Sequence, residues 1–155
     1  MRRTEDSRCY IKYIALFMMF MIASASFAQK ELAIDKIFNK YGMQKGSTMV
    51  ILSDDIIKFY HLDLYKSITL AYDKQRSEEI QQSLEIDKKQ AKKIKEVISN
   101  GIIYSGYYQL STENKHKKRY ILFKISDNAT ATLIYMEGDI ESEDIVNMLF
   151  IKQGK

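Results

Sequence analysis

Three runs of alternating side chains between residues 102 and 137 constrain this chain more than any other feature. Ile102, Tyr104, Gly106, Tyr108 and Leu110 fall in phase; Ile121, Phe123 and Ile125 do so again; Ala131, Leu133 and Tyr135 follow an Asp127-Asn128 turn. Successive side chains of an extended chain point to opposite faces, so each set belongs on one face of a strand. The three runs predict an antiparallel meander.

The segments around the meander supply further elements. Tyr65 to Tyr72, with Ile68, Leu70 and Tyr72 in phase, reads as another strand. Thr48-Met49-Val50-Ile51-Leu52 is a short apolar run rich in β-branched residues, the pattern of a strand covered on both faces and central in a sheet. Leu32, Ala33, Ile37, Phe38 and Tyr41 recur at helical spacing, and Gly42 stands where a helix wants a left-handed closing residue. Ser53-Asp54-Asp55-Ile56, Ser77-Glu78-Glu79-Ile80 and Ser142-Glu143-Asp144-Ile145 share one grammar. A capping hydroxyl is followed by two acids at the positive end of the helix dipole and then by an apolar residue, which marks three helix starts. The helix marked by Ser77 is read from Glu78 through Ile80, Leu84, Ala91, Ile94 and Ile98 to Asn100-Gly101, kinked or broken near Asp87; the final one runs from about Glu143 to Ile151. Asn-Gly is also a hairpin signal, but a strand over Lys93 to Ser99 would send Ile94 and Val97 to opposite faces. The expected fold is α+β, a two-layer sandwich with a mixed sheet of about five strands, including a C-terminal antiparallel meander, and about four helices.

The first 28 residues read as an address. Arg2, Arg3, Arg8 and Lys12 precede the apolar run Ile14 to Ile22, and Ser26-Phe27-Ala28 places small residues where signal peptidase reads them. The apolar run is too short for the roughly 20 residues of a spanning helix. Cleavage between Ala28 and Gln29 is expected, giving a periplasmic or secreted protein that is not integral to a membrane afterwards. Taking 28 from 155 residues leaves 127 in a single globular domain, 29–155, and removes Cys9, the only thiol. Disulfides, cysteine zinc sites and thiol nucleophiles go with it. The chain has no proline, so Pro-rich linkers and cis-Pro turns are also excluded, and its 46% hydrophobic content excludes a mostly disordered chain. Four basic and two acidic residues leave with the address, so the net charge falls from +4 to +2. Half of the apparent basicity is a targeting signal, and a nucleic-acid partner is not expected.

Little in the remainder points to catalysis. The two histidines are His61, after Phe59-Tyr60, and His116, within Lys115-His116-Lys117-Lys118-Arg119; neither has a sequence-local Ser or acidic partner at a recognised spacing. No H-E-x-x-H, G-x-S-x-G, P-loop or G-x-G-x-x-G run occurs. Asp54-Asp55, Asp139-Ile140-Glu141 and Glu143-Asp144 are close carboxylates, but no calcium-loop spacing accompanies them. No cofactor and no metal are expected. Lys88, Lys89, Lys92, Lys93 and Lys95 read as the solvated face of a helix, with Glu85 to Lys89 spaced for pairing. Tyr107 and Gln109, on the β face opposite the apolar set, form the one candidate binding strip. Such a strip would suit an envelope protein or a glycan, and the basic residues of an exported chain would suit a lipid phosphate or an acidic glycan.

The leader, Phe38-x-x-Tyr41-Gly42, Met49-Val50-Ile51-Leu52-Ser53, Ser105-Gly106-Tyr107-Tyr108 and Leu133-Ile134-Tyr135-Met136-Glu137-Gly138 together resemble small exported domains of unknown function from Gram-negative gut bacteria. The resemblance covers nearly all of the chain after the leader; it implies an envelope or secreted location more than any activity, and such families bring no established catalytic residues to carry over. A non-enzymatic envelope binding module is the expectation, and the alternative is a small hydrolase or ligand carrier whose site assembles only in three dimensions.

Overall fold

The alternating runs become strands of one antiparallel sheet. A computed structural model describes residues 31–53, 55–112, 114, 116–141 and 145 of the protein. The expected leader, its Ala28/Gln29 cleavage point and, but for Ile145, the helix expected over 143–151 lie outside the described residues. In chain order the elements are α1 (Asp35–Tyr41), β1 (Thr48–Leu52), α2 (Asp55–Lys58), β2 (Leu62–Ala71), α3 (Lys74–Asp87), β3 (Ala91–Ser99), β4 (Ile102–Leu110), β5 (Lys118–Ser126) and β6 (Thr130–Gly138). A 3₁₀ turn over Lys88–Gln90 joins α3 to β3. The strand order is β1-β2-β6-β5-β4-β3, and all five pairings are antiparallel. This corrects the expected fold. The sheet has six strands rather than about five, it is not mixed, and among the described residues only α1 and α3 exceed a single turn of helix.

One face of the sheet carries α1 and α3. Ile37, Phe38 and Tyr41 of α1, with Ile80 and Leu84 of α3, pack on Ile68, Leu70, Tyr108, Ile121, Phe123, Leu133 and Tyr135. The meander sets named from β5 and β6 are thus on the buried side, as their alternation implies. The opposite face is covered at one end, where Ile57, Leu62, Ile140 and Ile145 enclose Tyr120 and Met136.

Several local expectations change for physical reasons. The helix starting at Ser77 begins instead at Lys74, because the Asp73 carboxylate accepts from the Arg76 amide at 2.9 Å and supplies the cap. The Ser77 hydroxyl, inside the helix, donates back to the Lys74 carbonyl. Gly42 takes a right-handed φ of −58° and needs its missing side chain for space instead, since a Cβ there would strike Met49 and the Phe38 carbonyl. β1 is an edge strand, not a central one, and Val50 and Ile51 on its two faces are both exposed.

The largest correction lies between 88 and 99. The helix expected to continue to Ile98 stops at Asp87, whose buried carboxylate accepts from the Ala33 and Ile34 amides at 2.8 and 2.9 Å. It thereby satisfies free amides at the start of α1, which has no side-chain cap from its own N-cap residue. Lys92, Lys93 and Lys95 lie on β3, and Lys88 pairs with Glu85 one helical turn earlier. Asn100 and Gly101 have φ of 52° and 76°, the pair of positive values that a tight I′ hairpin turn demands. The parity objection to this strand assumes one buried face, and β3 has none: Ile94 and Val97 are 47% and 60% exposed.

The same hairpin breaks the phase of β4. Pairing steps from Val97↔Ser105 to Ile98↔Ile103, which makes Tyr104 an extra residue. Ile103 becomes buried, while Ile102 and Tyr104, expected on the apolar face, are 43% and 45% exposed.

Candidate functional site

The β3–β4 hairpin outruns the sheet that carries it. The ladder between β4 and β5 stops at Ser105↔Lys124, whereas β3 and β4 stay paired to Ser99↔Ile102. Two strands alone make a poor structure in water, so the overhang needs another support. Gln81 of α3 provides it. Its amide oxygen accepts from the Ile103 N–H at 3.0 Å, and its amide nitrogen donates to the Ile103 carbonyl and to the Tyr72 hydroxyl, both at 2.9 Å. The side chain stands in for the missing third strand.

Between α3 and the overhang runs a groove of about 790 Å³, with Tyr72 and Gln81 at its base, Ile86 and Glu85 on the helix side and Gly101 and Ile102 on the hairpin side. Many of the exposed large apolar side chains gather around this hairpin, although Met43 and Phe59, the two most exposed among the described residues, lie elsewhere, and Ile86 and Ile102 line the groove itself. Ile86, Ile94, Val97, Ile98, Ile102 and Tyr104 all belong to the hairpin or to the end of the helix beside it. Such a concentration on a sheet edge is a recognition feature more than a folding one.

A second pin fixes the base of β3. The Tyr108 hydroxyl donates to the Glu96 carboxylate at 2.7 Å, and Lys88 stands 3.6 Å from the same carboxylate. Burial, then this bond to Glu96, pushes the Tyr108 hydroxyl well above the ordinary tyrosine range. Glu96 is therefore engaged within the fold, while Lys92, Lys93 and Lys95 are exposed.

Residues opposite each other across a ladder share a face, which locates the expected strip. Lys95 faces Tyr107, which faces Leu122; Lys93 faces Gln109, which faces Tyr120. Tyr107 and Gln109 do lie on the face away from α1 and α3. Both are half-buried, and the Tyr107 ring packs on Tyr120 with centroids 5.8 Å apart, so the tyrosine serves the second core cluster. The Gln109 amide oxygen is enclosed without a hydrogen-bond partner among the described residues. The strip is the inner row beside the lysines of β3, and the sequence pattern missed that β3 is the outer row. The signal that could have found it is Asn100-Gly101.

The histidines, far apart in sequence, meet at a shallow depression of about 300 Å³ that Asp63, Asp139, Lys58 and Lys117 also line. His61 adopts a left-handed φ of 57° where its carbonyl accepts from the Asp139 amide, and Gly138 beside it has no room for a side chain. Asp63 is bridged by Lys117 at 2.9 Å, and the carboxylate holds that ammonium above the ordinary lysine range. No serine, threonine or cysteine lines the depression among the described residues. Among those residues, no group of three or more His, Cys, Asp or Glu could hold a metal ion, and no helix is long and apolar enough to cross a membrane.

A family model described as a family of unknown function (DUF6108) matches residues 21–149. No curated protein matches the chain.

Proposed function

The chain belongs to the DUF6108 family, a family of unknown function; we propose that it works as an exported binding module of the cell envelope, gripping its partner at the β3–β4 hairpin. The observation that carries this reading is the gathering of exposed Ile94, Val97, Ile98, Ile102 and Tyr104 on the β3–β4 hairpin, whose two-stranded tip is clamped from below by Gln81. Export rests on the basic, apolar and small-residue regions of positions 1–28. Tyr107 and Gln109 would then form the inner edge of the contact, behind Lys93 and Lys95.

A photo-crosslinking side chain placed at Val97 tests this in intact cells, with one at Met43, 95% exposed and far from the hairpin in sequence, as the control. Adducts from position 97 and not from 43, recovered from the envelope fraction, are expected. Equal labelling from both sites, or a protein confined to the cytoplasm, overturns the reading.

The depression that joins His61, His116, Asp63 and Asp139 favours a second reading, a small hydrolase or ligand carrier. Replacing both histidines by alanine separates the two. Under the binding reading, crosslinking from position 97 is unchanged.

A further inference from the structure

β3 is an open edge: β4 occupies one side of it, and no described strand occupies the other. Its backbone is set to receive one. Ile103 turns its N–H and carbonyl away from β3 to Gln81, so Ile98, directly opposite, turns its own away from β4 and toward the free edge. The side chains along that edge sort by face. Lys93, Lys95 and Val97 follow the face of Tyr107 and Gln109, while Ile94 and Ile98 follow the face of Tyr108 and Ile103, with Glu96 between them already committed to Tyr108 and Lys88.

Resting on the binding reading above, we infer that β3 takes up an extended acidic peptide segment as a seventh strand. Acidic residues at alternate positions of that segment would lie beside Lys93 and Lys95, and the intervening apolar residues beside Ile94 and Ile98. Charge selects this occupant over a second copy of the chain. Pairing β3 with β3 over most of its length sets like charges opposite one another, Lys93 against Lys95 for a twofold axis at Ile94, Lys95 against Lys95 for one at Lys95 and Glu96 against Glu96 for one at Glu96, and like charges opposed across a ladder repel. Lysines on an edge are a common guard against unwanted strand addition; here they also set the condition that an admitted strand must meet.

The probe is a fluorescent peptide of alternating Glu and Val, compared by anisotropy with one of alternating Lys and Val. The acidic peptide should bind at least about tenfold more tightly, and its affinity should fall as salt is raised. Replacing Lys93 and Lys95 together by glutamate should reverse the preference. Ile98→Pro, which removes an outward N–H and leaves the β3–β4 ladder bonds in place, should abolish binding while the circular dichroism spectrum stays that of the parent. Equal binding of the two peptides, indifference to either substitution in a folded protein, or no binding of the acidic peptide overturns the inference. If crosslinks from position 97 persist in any of those cases, the binding reading survives and only the acidic strand is lost.

Discussion

The two hairpins of the meander region, β3–β4 and β5–β6, are built from similar numbers of apolar residues and are held in place by different means. In β5–β6 the pairing register is unbroken, and Ile121, Phe123, Leu133 and Tyr135 are all buried against the helices. In β3–β4 only the inner strand buries side chains, Ile103, Tyr108 and Leu110; the apolar side chains of the outer strand are exposed, and that strand and the tip are held by hydrogen bonds: Gln81 on the Ile103 backbone and Glu96 on Tyr108. Both strands of one hairpin are fixed by what their side chains bury; the outer strand and tip of the other are held by what their backbone and a few polar groups touch. An apolar residue in a strand is therefore not by itself a core residue; its row in the sheet decides.

The sharpest way to break this contrast is the same truncation in each hairpin. Leu133→Ala should cost about 3 kcal/mol, because the site is fully buried and the cavity cannot collapse. Val97→Ala should stay within about 0.5 kcal/mol. Urea unfolding of the two variants measures both, and a large loss at Val97 would mean that the exposed hairpin belongs to the core after all. Next in size, Gln81→Leu should cost about 1–2 kcal/mol, since it strands a backbone donor and acceptor together. Its mark should be local: hydrogen exchange should accelerate over 99–104 while amides of β5 and β6 keep their protection. Uniform loss of protection would show that the two hairpins open as one unit.

The smallest effect concerns the other end of α3. Burial raises the Asp87 carboxyl above its ordinary 3.8, against the pull of the Ala33 and Ile34 amides. The folded protein thus holds that proton more tightly than the unfolded chain does. The contribution to stability is fully present below about pH 3.8 and is lost as pH rises through the folded value. Asp87→Asn should flatten that part of the stability curve relative to the parent, as chemical denaturation across the acidic range would record. A parallel pair of curves would place the carboxyl in a setting no different from water.

How far the sequence disclosed this molecule follows from the same contrast. β5 and β6 were legible because burial on one face imposes the period of two on Ile121, Phe123, Ile125, Ala131, Leu133 and Tyr135. β3 was not, because an exposed edge strand is under no such demand, and its run of Ile94, Val97 and Ile98 fits helical steps as well as any. The residue that stops the helix, Asp87, acts on amides more than fifty positions away, and no local pattern announces such a bond. Gln81 is equally silent, being a polar residue on a helix until the fold brings Ile103 to it. Of the candidate strip, Tyr107 and Gln109 were assigned to the right face by parity, but their place behind a row of lysines depended on β3 being a strand. The meeting of His61 with His116 is likewise a product of topology, since β2 and β5 both flank β6.

Gln81 holds the overhang by main-chain atoms that every residue type possesses. The outward side chains of the hairpin are consequently free of any duty in anchoring it, and they can be exchanged wholesale without retuning the helix that grips them. A surface so attached behaves as a replaceable faceplate on a fixed mount: new recognition chemistry could be installed at positions 94, 95, 97 and 98 by substitution alone, at little cost to the framework behind it, while Glu96 stays as the pin to Tyr108.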